Sequence, residues 1–243
     1  MPLMRLDKYI SDCGVASRRE IKQMIKTGRI TLNGVVAATA ELKIDPEQAV
    51  VTVDGTALKY DKYHYFMLNK PAGVLSATDD GKQKTVLNLF LPEHKKFNLF
   101  PVGRLDIDTE GLLLITNDGQ LSHNLLAPGK HVDKTYYAKI DGLVNDSTVS
   151  AFLEGLDIGE KKNTLPAKLN IIKSGSISEV EITVCEGKYH QIKRMFEAVG
   201  MKVVYLKRIS FGGIILDDNL ALGQFRQLTE DEISILKGNN YVI

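Results

Sequence analysis

The sequence predicts an α+β fold built on a largely antiparallel sheet, and three observations carry that expectation. Apolar runs of strand length recur along the chain, helical periodicities fall between them at irregular intervals, and several two-residue turn signals mark hairpins.

The elements follow in order. Leu6, Tyr9 and Ile10 sit at helical spacing ahead of Gly14, which predicts a short first helix. Ser17 and Glu20 are spaced as a capping box for a second. Its core face is Ile21, Met24 and Ile25, while Arg18, Lys22 and Lys26 line up at i, i+4 on another face, and Gly28 ends it. "RITLNGVV" and "VVTVDGTAL" place Asn-Gly and Asp-Gly pairs between short β-formers, the signal of tight hairpins. The polar stretch "LKYDKY" (58–63) predicts a hinge, with a small unit at 1–59 and a larger one at 60–243.

In the larger unit "YHYFMLNKPAG" reads as a strand running into a turn at Pro71 and Gly73. "SATDDGKQK" (76–84) predicts a mobile loop, and "TVLNLFL" a short helix or strand. "LLLIT" is a buried strand closed by Asn117, Asp118 and Gly119, and "KTYYAKI" alternates as another. "NDSTVSAFLEGL" is a capped helix with Val149, Phe152, Leu153 and Leu156 as its apolar residues. "AKLNIIK", "SEVEITV" and "KVVYLKRISFGGI" are strands. "KYHQIKRMFEAVG" spaces Ile192, Met195, Phe196 and Val199 as one helical face, with Gly200 as stop, and Thr229 and Glu232 cap a last helix.

A content of 44% hydrophobic and 25% charged residues is that of a globular protein, and no apolar run nears the roughly 20 residues of a membrane span. The start lacks the apolar region of a signal peptide, so the cytoplasm is the expected location and no membrane the expected partner. Cys13 and Cys185 are too few and too far apart for a disulfide framework. The net charge of +1 conceals two basic islands. Residues 1–32 hold seven Lys/Arg against three Asp/Glu, and residues 183–208 hold six against two. Each island carries +4, which leaves −7 for the remainder. Two basic islands in a mildly acidic body predict a polyanion held at two places.

"GRLDIDTEGLLLIT" gathers Asp106, Asp108 and Glu110 ahead of an aliphatic run. With Gly111 they match positions 1, 3, 5 and 6 of a calcium loop, but position 12 is Asn117 and positions 7 to 9 are leucines, which argues against calcium. No phosphate-cradling loop accompanies them, and a two-carboxylate hydrolase stays open on residue type alone. Asp108 and Thr109 read as a local turn. Asp106 stands between Arg104 and a buried strand, a partly desolvated carboxylate near a cation, which is the setting of a functional acid.

Two resemblances extend this reading. "MRLDKYISDCGVASRREIKQMIKTGRITLNGVVA" resembles the S4 RNA-binding domain. "GRLDIDTEGLLLITNDGQLSH" resembles the signature of RNA pseudouridine synthases of the RsuA branch, and "YFMLNKPAG", "HVDKTYYAKI" and "EGKYHQIKRMFEAVG" resemble that branch's other blocks in the same order. The implied architecture is a small S4-like α/β RNA-binding module at 1–59, then a pseudouridine-synthase domain at 60–243 with a largely antiparallel mixed sheet flanked by helices.

The second resemblance implies Asp106 as the catalytic aspartate, Tyr136 as the ring that stacks on the target uracil, and Lys193 as the cation paired with Asp106. Arg104 is expected to hold the flipped nucleotide or its phosphates. The remaining RNA-binding candidates are Arg5, Arg18, Arg19, Lys22, Lys26 and Arg29 in the first island, and Lys188, Arg194 and Arg208 in the second. Alternation sends Tyr137 to the opposite sheet face, where a core role is expected, and His190, His123 and His131 are expected to cap or pack. Because the reaction is an isomerisation, no cofactor and no metal is expected. The expected partner of a monomer is ribosomal RNA, 16S rRNA of the small subunit or an assembly particle containing it. The alternatives are a 23S rRNA synthase of the same branch, a non-catalytic RNA-binding assembly factor, and the hydrolase or metal protein named above.

Overall fold

A computed structural model of the chain describes residues 3–238. It divides into two units, one running to Tyr63 and including Pro92–Asn98, the other comprising His64–Leu91 and the chain from Leu99 onward. The expected single cut at 59/60 put Pro92–Asn98 in the larger unit. That segment opens with a 3-10 helix, Pro92–Phe97, and no linker composition marks the excursion. Among the described residues no helix is long and apolar enough to cross a membrane.

The first unit runs β1 (Met4–Arg5), α1 (Leu6–Asp12), α2 (Arg18–Lys26), β2 (Ile30–Leu32), β3 (Val35–Val36), β4 (Lys43–Ile44), β5 (Val51–Val53) and β6 (Thr56–Ala57). The strands form an antiparallel sheet of order β3-β2-β5-β6 and a separate β1-β4 pair. Both hairpin turns form as expected: Asn33 and Gly34 take φ of 50° and 82°, Asp54 and Gly55 of 51° and 81°, which is the mirror-image turn whose twist suits paired strands. The capping box closes at Ser17, whose N–H donates to Glu20 Oε2 at 2.8 Å. Leu6, Tyr9, Ile10, Ile21, Met24 and Ile25 meet in one core, which leaves Arg18, Arg19, Lys22 and Lys26 exposed.

The second unit runs β7 (Tyr65–Lys70), β8 (Phe100–Pro101), β9 (Glu110–Thr116), α3 (Gly119–Leu126), β10 (Lys134–Asp141), α4 (Asp146–Glu154), β11 (Lys168–Lys173), β12 (Ile177–Val184), α5 (Gln191–Ala198), β13 (Lys202–Phe211), β14 (Ile214–Ile215), β15 (Phe225–Gln227) and α6 (Glu230–Gly238). Nine strands form one mixed sheet of order β11-β12-β10-β13-β9-β7-β15, with β14 beside β13 and β8 beside β9. Among the described residues the β13–β9 strand pair is the one parallel pair of this sheet; its other strand pairs are antiparallel. Met67, Leu112, Leu114 and Phe211 on the sheet pack with Leu121 and Leu125 of α3 and Leu236 of α6, while Phe152 of α4 meets Phe196 of α5 at 4.8 Å between ring centroids.

Gly111 makes the parallel junction possible. It has φ of +100°, and a Cβ there would strike the backbone N and O of Arg208, its partner across the pair.

Three local features go beyond the sequence expectation. "TVLNLFL" forms a 3-10 helix, Val86–Leu89, because Asn88 Oδ1 accepts from Thr85 N at 2.7 Å and winds the turn. "GQLSHNLL" is helix α3, which the sequence reading passed over; Asp118 caps it through Leu121 N at 3.0 Å. Of the apolar residues of α4, Phe152 is buried, together with Thr148, while Leu153 is exposed.

Candidate active site

The second unit holds a cavity of about 370 Å³, lined by the loop before β9, the end of α3, β10, the turn before α5, and β13. Asp106 sits on that loop, and backbone and side-chain ties fix the loop from several sides. Ser76 Oγ accepts from Leu105 N at 3.0 Å and donates to Leu105 O at 2.9 Å. Thr109 N donates to Asp106 O at 3.1 Å, and Gly73 N to Ile107 O at 2.7 Å.

The strongest tie is Lys70, the last residue of β7 and wholly buried. Its Nζ donates to the carbonyls of Asp106 (3.1 Å), Thr109 (2.9 Å), Pro71 (3.1 Å) and Ile107 (3.4 Å). Burial pushes the Lys70 ammonium down to about 8, against the opposing pull of Asp108, Asp106 and Glu110. Lys70 thus spends its charge on the backbone that carries Asp106. The turn signal of "NKPAG" does not by itself reveal this role. A lysine ending an apolar strand was the signal available there.

The Asp106 side chain is 30% exposed, and its partner is Lys193 of α5: Nζ lies 3.2 Å from Asp106 Oδ2. The same Nζ reaches Asp108 Oδ1 at 2.7 Å and Oδ2 at 2.9 Å. Asp108 therefore does more than turn the chain; it shares the cation. Desolvation works to lower the Lys193 pKa, but the hydrogen bond to Asp108 and the charge of Asp106 outweigh it and leave the ammonium raised. The hydrogen bond from Lys193 holds the Asp108 carboxyl below its ordinary range. Glu110 points elsewhere and accepts from Tyr205 OH at 2.7 Å. Two of the three carboxylates thus share one ammonium and the third takes a phenol, which is not the convergent geometry of a cation cage.

Tyr136 is buried and lines the cavity, opposite Arg208 on β13 in the strand register. Tyr137 faces the other side, as alternation requires, but it is half-buried rather than core: its OH donates to Glu179 Oε2 at 2.5 Å, and the paired hydroxyl keeps it at the surface. His190, expected to cap or pack, makes no side-chain cap. It takes φ of 49° ahead of α5 and brings Nε2 to 3.6 Å from Asp106 Oδ1.

The predicted basic residues separate into three groups. Arg104 is exposed on the cavity wall, and Arg18, Arg19 and Lys26 are exposed on α2. A second group forms ion pairs: Arg5 with Asp7 and Glu41, Lys22 with Glu41, Arg29 with Asp54, Lys188 with Glu186, and Arg194 with Glu160. Arg208 alone among these predicted residues is a buried cation, 2% exposed, and so is not a solvent-facing contact for RNA phosphates. Its strand runs through the middle of the sheet, and its Nε donates to Leu112 O at 2.7 Å.

A partly shielded carboxylate on a braced loop, an amine against it, and an aromatic ring in the same cavity form a site for acid–base or covalent chemistry on a flat ligand. Comparison with known proteins agrees with that geometry. The family model for RNA pseudouridylate synthase matches residues 64–198, and that for the S4 domain matches residues 4–50. The chain is 47% identical over 234 residues to an uncharacterized RNA pseudouridine synthase of Bacillus subtilis, YtzG, covering 96% of this chain and 98% of that one. It is 43% identical over 232 residues to ribosomal small subunit pseudouridine synthase A of Escherichia coli, covering 95% and 99%. A crystal structure of a pseudouridylate synthase matches with a TM-score of 0.68 at 37% identity, over 96% of this chain and 99% of that one. The chain belongs to the RNA pseudouridylate synthase family, as an RNA pseudouridine synthase with an S4 domain ahead of its catalytic unit.

Proposed function

We propose that the chain converts a uridine of small-subunit ribosomal RNA to pseudouridine, with Asp106 as the catalytic carboxylate, Tyr136 as the ring against the extruded uracil, and Lys193 as the cation that keeps Asp106 in place. The observation that carries this reading is the 3.2 Å approach of Lys193 Nζ to Asp106 Oδ2 in the cavity that Tyr136 lines. Likeness over nearly the whole chain to small-subunit synthases supports the choice of RNA.

The reaction breaks the bond from N1 to C1′, turns the base, and joins C5 to C1′, so the product is an isomer of the substrate. The protein must hold a carboxylate near the sugar, grip the freed base, and keep water away. Extruding the uridine costs a few kcal/mol, and stacking on an aromatic ring returns about 1–3 kcal/mol of it.

In this reading the S4 unit grips the RNA backbone through Arg18, Arg19 and Lys26. Lys22 and Arg29 exchange their carboxylates for phosphates, since exposed ion pairs contribute only about 0–1 kcal/mol and yield readily, whereas Arg5 stays on the buried carboxylate of Asp7 and can offer RNA only what that pair leaves free. Arg104 takes phosphate at the cavity rim. The enzyme works as a cytoplasmic monomer on free rRNA or an assembly particle.

The test is to incubate the protein with unmodified small-subunit and large-subunit rRNA transcripts and map pseudouridine by carbodiimide labelling and primer extension. One new site in the small-subunit transcript is expected. Modification confined to the large-subunit transcript would overturn the substrate, and none in either would favour the non-catalytic assembly factor.

A further inference from the structure

Arg208 is an anomaly in energy terms. It is 2% exposed, its Nη2 is buried without a hydrogen-bond partner, and among the described residues it forms no ion pair. A charge out of water and short of one bond is costly unless something completes it. Lys134 lies close by, on the same wall of the same cavity. Burial, and next the charge of Arg208, pushes the Lys134 ammonium down to about 8, with Asp133 and Glu186 offsetting only part of this. Both cations lie over the ring of the wholly buried Phe211, Arg208 at 4.9 Å and Lys134 at 5.6 Å from its centroid. Lys134 Nζ also donates to Val132 O at 2.7 Å, whereas Arg208 Nη2 has nothing.

We propose that Arg208, with Lys134 beside it, is the buried cationic floor of the cavity, and that it hydrogen-bonds a carbonyl oxygen of the extruded uracil. This rests on the reading of the cavity as the uridine-isomerising site, and it assigns the group there that recognises the base.

The argument is one of depth and chemistry. An RNA backbone enters and leaves through the mouth, so its phosphates stay with exposed cations such as Arg104. Only the base reaches a residue as buried as Arg208. A guanidinium donates and never accepts, and uracil offers two acceptors, O2 and O4. Cytosine keeps O2 but replaces O4 with an amino group, so a guanidinium on O4 would there face a donor. When the N1–C1′ bond breaks, its electron pair stays with the base and spreads over N1, O2, O4 and C5. C5 then bonds C1′, its proton leaves, and N1 takes one up. A buried cation aimed at O2 or O4 opposes the charge at the moment it forms, where the shielded setting makes the interaction strongest. Arg208 is also held ready: Nε is anchored on Leu112 O, and the strand register sets Arg208 opposite Tyr136, the proposed stacking ring.

The experiment uses the full-length protein and a short rRNA fragment carrying the mapped target as uridine, 2-thiouridine or 4-thiouridine, since sulfur accepts hydrogen bonds poorly. Turnover of the uridine fragment by the unmutated protein is the entry condition; its failure would count against the proposed function, not against this assignment. Loss of one hydrogen bond to a charged donor predicts a fall of roughly 10- to 150-fold in kcat/KM for one of the two thio substrates, and the affected position names the oxygen. In Arg208→Met and Arg208→Lys that penalty should shrink to within about twofold, because the contact is already lost or displaced. Equal turnover of all three substrates by the unmutated protein overturns the proposal without any variant, which matters because Arg208→Met also strips Leu112 O of its donor. A thio penalty of the same size in the folded variants overturns it as well. So does a penalty found instead with a methylphosphonate on the 5′ side of the target that disappears in the variants, since that would make Arg208 a phosphate contact.

Discussion

Replacing Lys70 by methionine should separate stability from activity. Burial holds the Lys70 ammonium at about 8 instead of 10.5, so below pH 8 the charged form carries a penalty of about 3 kcal/mol at 1.36 kcal/mol per pH decade. Lys70→Met removes that penalty and nearly preserves volume. Against this, four carbonyls lose a charged donor. Asp106 O keeps Thr109 N at 3.1 Å and Ile107 O keeps Gly73 N at 2.7 Å, so Pro71 O and Thr109 O bear most of the loss, about 1–3 kcal/mol each. The opposing effects are of similar size, and the net change in stability should lie within about 2 kcal/mol. The loop carrying Asp106, however, loses its central brace, and a displacement of about 1 Å lowers turnover roughly 100-fold.

The pH dependence of stability gives the second half of the assay. Between pH 8 and 10.5 the unfolded chain keeps the Lys70 proton that the folded chain has released, so stability from this group rises with pH, by up to about 3 kcal/mol. Urea denaturation of both proteins across that range should show a rise about 3 kcal/mol larger in the unmutated one, because Lys134, also held at about 8, adds the same increment to each. A variant with unchanged turnover, or one with the same pH dependence as the parent, would refute the reasoning.

Gly111→Ala should destabilise the protein by about 3 kcal/mol or more in urea titration, because φ of +100° and the Arg208 backbone both oppose a Cβ; an unchanged midpoint would contradict this. Asp108→Asn should leave stability within about 1 kcal/mol, since its carboxylate is 65% exposed, and turnover within about tenfold; a loss matching that of Asp106→Asn would make Asp108 the reacting group. Tyr136→Ala should weaken RNA fragment binding by roughly 5- to 150-fold through lost stacking, whereas Tyr137→Phe, which loses only the hydrogen bond to Glu179, should bind and turn over normally.

Local signals were the most legible part of the sequence. The Ser17–Glu20 box, the Asn33-Gly34 and Asp54-Gly55 turns, and the helical face of Ile192, Met195 and Phe196 each rest on contacts within a few residues, and all appear as expected. Helix α3 was equally legible and was missed, since Asp118 is a capping residue and Leu121 and Leu125 stand four apart. What lay beyond reach depends on strands far apart in the chain. Nothing near Arg208 says that β13 will run beside β9 in the middle of a sheet, so its charge read as surface. Lys70 and Asp108 were hidden for the same reason: their partners lie 36 to 39 and 85 residues away in sequence. Asp106, by contrast, was visible, because its own neighbours placed a carboxylate at the edge of a buried strand.

The most direct measurement is single-turnover release of tritium from 5-tritiated small-subunit rRNA, with Asp106→Asn beside the unmutated protein at equal, saturating concentration. One tritium per target from the parent and none above background from Asp106→Asn is the predicted result. Release by Asp106→Asn at the parent's rate would contradict the account, because the carboxylate that Lys70 braces and Lys193 pairs would then have no part in the reaction.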